Sequence, residues 1–196
     1  MPKILCTALS AEEGPHFDML AQAGFECEVV PRHLNLWDED TLADAIQGYA
    51  GILAGSEPLT ARVIASSPLL RVINRAGVGF DAVDLKTCDQ QRIVVATTPG
   101  VNHHSVAEHA IALLMGVARG FPAADQEVRA GKWTRTARPR VQGSVMGLIG
   151  LGRIGQATAT RARGLGMQVI AADPFADPAF VAEHRIELVS LDDLYR

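Results

Sequence analysis

Short, continuously apolar runs alternate with stretches of helical spacing through the N-terminal half of the chain. Lys3–Thr7, Phe25–Val30, Gly51–Ala54, Leu70–Asn74 and Ile93–Ala96 read as strands. Glu12–Ala23, Glu39–Tyr49, Thr60–Ala65 and Ala82–Gln90 read as the helices between them. Unbroken apolar strands are expected where both faces of a parallel sheet are covered. Five such units in sequence predict a doubly wound α/β domain, flavodoxin-like, over residues 1–99. In such sheets ligands gather beyond the C-terminal ends of the strands.

The texture changes at Thr97-Thr98-Pro99-Gly100. Ser105 and Glu108 fit a capping box, which predicts a helix starting there with Val106, Ala110, Leu113 or Leu114, and Val117 on one face. Gly120 and Pro122 are expected to stop it. Between Arg129 and Arg140 lie five basic residues and no acid. This segment reads as a solvated loop, with Trp133 packed on a neighbour, or as a nucleic-acid patch.

Composition narrows these readings. The chain has 196 residues, 48% apolar, 20% charged and only 5% aromatic, so its core is built from Ala, Val, Ile and Leu. A net charge of −4 argues against a surface that coats nucleic acid or anionic lipid. Three scattered cysteines, Cys6, Cys27 and Cys88, show no CxxC spacing and suit a reducing compartment. The longest apolar stretch, Ala110–Ala118, is about half of the ~20 residues a membrane span needs. A cytoplasmic protein with no membrane or nucleic-acid partner is expected.

The densest chemical signal comes later. Val145–Ile149 reads as a buried strand running into Gly150-Leu151-Gly152-Arg153-Ile154-Gly155, then a helical stretch, then a second strand ending at Asp173. A GxGxxG alone is weak; between strand and helix, with an acid at the end of the next strand, it is a dinucleotide-binding signal. Gly150 permits the tight turn, Gly152 lets a pyrophosphate approach the backbone, and Gly155 lets helix and strand pack closely. The amides of Arg153 and Ile154 are placed to meet phosphates at the positive end of the helix dipole. Asp173 is placed to accept from the ribose hydroxyls. With no Arg or Lys in Pro174-Phe175-Ala176, this favours NAD over NADP.

Three stretches together resemble the D-isomer-specific 2-hydroxyacid dehydrogenases. Arg75-Ala76-Gly77-Val78-Gly79-Phe80-Asp81 is similar to the family's substrate loop. Thr98-Pro99-Gly100-Val101-Asn102 and Ser105–His109 are similar to its hinge and linking helix, and Gly147–Gly155 with Asp173-Pro174 to its NAD fingerprint. The resemblance implies that the amides of Val78 and Gly79 hold a substrate carboxylate, a role adjacent N–H groups in a glycine turn suit. It places Asn102 facing substrate, as in the formate dehydrogenase branch, or merely at a turn, and Val106 against the nicotinamide. His103, His104, Glu108 and His109 form the one dense group of ligating types, but lack a third ligand at metal spacing. No metal is expected. His103 and His104 remain candidates for a proton acceptor.

Residues 100–196 would then be the linking helix and the start of a Rossmann domain. From Ser144 onward there are 53 residues, room for about half of a six-stranded Rossmann sheet. The family's catalytic Arg, Glu and His match no position here, so they are expected beyond Arg196, and the 196 residues alone are expected to be inactive. The implied activity is reversible hydride transfer between NAD and a small D-2-hydroxy or 2-oxo acid, in a homodimer. The pattern looks most like the phosphoglycerate and glycerate/glyoxylate branches. Where phosphoglycerate-type members carry an Arg after the third strand, this chain has Ala54-Gly55-Ser56-Glu57-Pro58. Glu57 would oppose a phosphate, which points to an unphosphorylated acid. The competing expectation is a non-catalytic NAD(H)-binding sensor on the same fold.

Overall fold

The computed structural model describes residues 1–8 and 14–196. The described chain divides into two compact units, Met1–Val101 and Asn102–Arg196.

In the first unit, β1 (Lys3–Cys6), β2 (Glu26–Val29), β3 (Gly51–Ala54), β4 (Val72–Arg75) and β5 (Val94–Ala96) form one parallel sheet in the order β2-β1-β3-β4-β5. Helices α1 (Pro15–Gln22), α2 (Glu39–Ala45), α3 (Ala61–Ala65) and α4 (Leu85–Gln91) connect them. The start of the expected first helix at Glu12 lies outside the described residues. The order of strands is that of a flavodoxin-like doubly wound sheet, which reverses direction between β1 and β3. Leu5, Leu42, Ile46, Ile52, Val63, Ile64, Leu70 and Ile73 fill the core. Three helix starts are capped by side chains: Asp38 accepts from the amide of Thr41, Thr60 from that of Val63, and Asp84 from that of Thr87.

The second unit opens with α5 (His103–Arg119) and α6 (Phe121–Arg129). A three-stranded parallel sheet follows, β6 (Val145–Ile149), β7 (Gln168–Ala172) and β8 (Glu187–Leu188), in that order. Helices α7 (Arg153–Gly164), α8 (Pro178–His184) and α9 (Leu191–Leu194) complete it. Leu151, Ala159, Ala162, Met167, Val169, Ala171 and Ile186 form its core.

Five details differ from the sequence expectation. Helix α5 starts at His103, so Ser105 lies inside its first turn and does not cap it. Glu108 instead accepts from the Arg161 guanidinium at 2.8 Å, a charge-assisted bond stronger than one to a neutral amide. The stripe of α5 that meets the core is Ala107, Ile111 and Leu114. Val106, Leu113 and Val117 are exposed, so the expected face was rotated. Gly120, at φ +62°, does end α5, but Pro122 stands in the first turn of α6 and begins a helix where it was expected only to end one. Strand β6 is not a uniformly buried run. It pairs only with β7, and Val145 and Ile149 are 55% and 64% exposed. Trp133 is exposed, not packed on a neighbour.

Candidate functional site

The glycine turn is built by β6 and α7. Gly150 has φ +90°, a conformation that favours glycine, and its amide donates to the carbonyl of Ala172 at 2.9 Å. Around Gly152 there is open space, so a ligand can reach its backbone. At Gly155 a Cβ would collide with the carbonyl oxygen of Gly150, which gives the third glycine its steric reason. The first helical bond runs from Gln156 N–H to Gly152 C=O, and no side chain caps the helix. The amides of Arg153 and Ile154 therefore precede the helical ladder, at the positive end of a helix of 12 residues. These features fit a dinucleotide pyrophosphate.

Asp173 follows β7 directly. Its Oδ2 accepts from the amide of Leu151 at 2.6 Å and its Oδ1 from that of Phe175 at 2.7 Å. These bonds, the Leu151 one first, hold its carboxyl below the ordinary aspartate value of 3.8. Each oxygen keeps a lone pair for a further donor. The Leu151 contact was not legible beforehand, because nothing in the spacing says that the acid also buttresses the glycine turn.

In the first unit, the loop after β4 carries Val78 and Gly79, both exposed. Arg75, the last residue of β4, donates from Nε to the carbonyl of Gly79 at 3.0 Å and from Nη1 to that of Ala54 at 3.3 Å. Thr98 N–H donates to the carbonyl of Gly77 at 2.9 Å. The loop is thus held through the carbonyls of Gly77 and Gly79 and through the amide of Ala76, which donates to the Ala54 carbonyl at 2.9 Å. Nothing in the local spacing marks Arg75 for this clamp, because one of the two carbonyls, that of Ala54, lies 21 positions away.

Asn102 is the N-terminal flanking residue of α5 and makes no capping bond; its buried Oδ1 is without a partner, as is Nδ1 of His103. The His103 and His104 rings touch, with centroids 4.1 Å apart. Val106 is 39% exposed in the first turn of α5. Among the described residues, no group of three or more His, Cys, Asp or Glu is placed to hold a metal ion. No described helix is long and apolar enough to cross a membrane.

Glu57 departs from the expectation of an open charge facing ligand. It is only 6% exposed, and its Oε1 accepts from the hydroxyl of Thr7 and from the amide of Gly55 at 3.1 Å. The donors from both loops draw the carboxylate inward.

A model of the D-isomer specific 2-hydroxyacid dehydrogenase catalytic domain matches residues 4–184. The chain belongs to this family. It is 41% identical over 160 residues to a D-3-phosphoglycerate dehydrogenase of Mycobacterium bovis, covering 80% of this chain and 30% of that protein. It is 38% identical over 145 residues to a glyoxylate reductase of Korarchaeum cryptofilum, covering 71% of this chain and 44% of that protein. Among solved structures, the NAD-dependent formate dehydrogenase of Staphylococcus aureus in complex with NAD superposes with a TM-score of 0.82 at 26% identity, over 99% of this chain and 62% of that one. The chain thus spans about a third of the mycobacterial relative and about three-fifths of the solved neighbour.

Proposed function

We propose that this chain carries the substrate loop and the first part of the NAD site of an oxidoreductase acting on the CH–OH group of a small D-2-hydroxy acid. In this reading residues 1–99 are the substrate domain, and residues 100–196 the linking helix and the start of the cofactor domain. The observation that carries it is the turn from Gly150 to Gly155. It joins open space over Gly152 to an uncapped helix start, with Asp173 bonded to the same turn.

NAD, when bound, supplies the acceptor for the hydride on C2 of the hydroxy acid. Arg153 and Ile154 amides bind its pyrophosphate, and Asp173 accepts from its adenosine ribose and repels a 2′-phosphate. Val106 lines the nicotinamide pocket. Val78 and Gly79 amides hold the substrate carboxylate, and the Asn102 side chain orients it. The Arg, Glu and His of the family's chemistry match no position among these residues. The protein works as a homodimer in the cytoplasm. Exposed Val117 and Phe121 on α5 and α6 support the first statement, and three free thiols the second.

Calorimetric titration of the full-length protein with NADH and NADPH tests the cofactor reading. NADH is expected to bind at least about tenfold tighter than NADPH. Equal or reversed affinities contradict it, and NADH binding without turnover of any 2-hydroxy acid favours the sensor.

A further inference from the structure

Helices α5 and α7 carry two different parts of the candidate cofactor site. The amides of Arg153 and Ile154 open α7, and Val106 stands in the first turn of α5. In the reading above, the first two meet the pyrophosphate and the third meets the nicotinamide. Helix α5 packs on α7, and small residues are buried on both. Ala107 of α5 and Ala159 and Ala162 of α7 are fully buried, with Ala157 nearly so. Alanines form shallow ridges, and apolar burial is non-directional. Such packing holds the helices together but sets their register along the axis only weakly.

A directional contact supplies what the alanines lack. Nη2 of Arg161 donates to Oε1 of Glu108 at 2.8 Å, and Nη1 of the same guanidinium donates to the Ala157 carbonyl at 2.9 Å. Arg161 thus grips its own helix with one nitrogen and α5 with the other. Its side chain is only 28% exposed, so the fork is held in place. The link also lies close to both cofactor contacts. At 1.5 Å of rise per residue, Glu108 is about 3 Å along α5 from Val106, and Ala157 about 6 Å along α7 from Arg153.

We propose that Glu108 and Arg161 are positioning residues: their ion pair sets the register of α5 on α7, and with it the distance from Val106 to the amides of Arg153 and Ile154. This deepens the NAD reading and rests on it. The pair acts through the two helices, not on the substrate. Hydride transfer needs its two carbons close and aligned, so a slip of α5 along α7 slows it. The adenosine and pyrophosphate, held by α7 and Asp173, are unaffected by that slip. Glu108 is 65% exposed, and an ion pair so open to water adds little to folding.

The test uses the full-length protein carrying Glu108→Ala, Arg161→Met or both. Three quantities are compared with wild type: affinity for ADP-ribose, the fluorescence gain of NADH on binding, and the single-turnover rate of NAD reduction by D-glycerate and D-lactate. Each variant is expected to bind ADP-ribose within about twofold of wild type. The fluorescence gain is expected to fall by about half, and hydride transfer to slow about tenfold. Both substitutions remove one shared contact, so the double variant is expected to be no slower than the slower single. Transfer within about threefold of wild type overturns the proposal. So does an equal loss of ADP-ribose affinity, or a double variant slowed by the product of the two singles. A variant that no longer folds overturns it too, since the pair is then a structural tie. In these cases the dehydrogenase reading stands. A wild type that oxidises neither acid overturns that reading and this one together.

Discussion

Asp173 accepts a hydrogen bond of 2.6 Å from the amide of Leu151, which ties the end of β7 to the glycine turn that follows β6. The acid at the end of the second strand therefore shapes the turn in addition to any ligand it binds.

This tie has a pH signature. The folded-state carboxyl titrates below its usual 3.8, so its stabilisation is complete above the unfolded value and is lost as pH falls through the folded one. Thermal unfolding of wild type and Asp173→Asn across pH should show the wild type more stable at neutral pH. The gap should close in acid, below the ordinary aspartate range. A gap independent of pH would show that the carboxylate charge is not what the turn uses.

Two glycines of the same motif should respond oppositely. Gly155→Ala forces a Cβ against the Gly150 carbonyl and is expected to cost about 1–3 kcal/mol of stability. Gly152→Ala points into open space at φ −71°, so stability should stay within about 0.5 kcal/mol. Its NADH affinity should nevertheless fall about tenfold or more. Denaturant melts and NADH titration separate the two effects.

The start of α5 offers a third check. Asp84 caps α4 through the amide of Thr87 at 2.8 Å, and Asp84→Ala should cost about 1 kcal/mol. Ser105 caps nothing, and Ser105→Ala should stay within about 0.5 kcal/mol in the same denaturant melts.

Arg75→Ala should loosen the loop that carries Val78 and Gly79. Steady-state kinetics are expected to show KM raised about tenfold with kcat within about threefold. Arg75→Lys should rescue little, because a lysine cannot span two carbonyls with the planar fork of an arginine. A fall in kcat alone would place Arg75 elsewhere in the reaction.

The sheet of the first unit was legible because its strands are short apolar runs between stretches of helical spacing, and these are local signals. The glycine turn was legible because three steric demands fall at fixed spacing. What the sequence did not disclose was long-range. Ser105 and Glu108 satisfy the capping pattern, but Arg161, 53 positions from Glu108, offers the acid a stronger partner. The rotated face of α5 has a similar cause: apolar residues stand on both sides of the helix, and only packing on α7 selects Ala107, Ile111 and Leu114. Glu57 reads as an exposed loop acid until the Thr7 hydroxyl, 50 positions away, is seen to hold it.

The central claim is tested most directly by the stereochemistry of turnover. The full-length protein should reduce NAD in the presence of small D-2-hydroxy acids and leave the L-isomers unoxidised, followed by NADH absorbance. Oxidation of L-isomers with equal efficiency, or binding of NADH with no oxidation of either, would contradict the account.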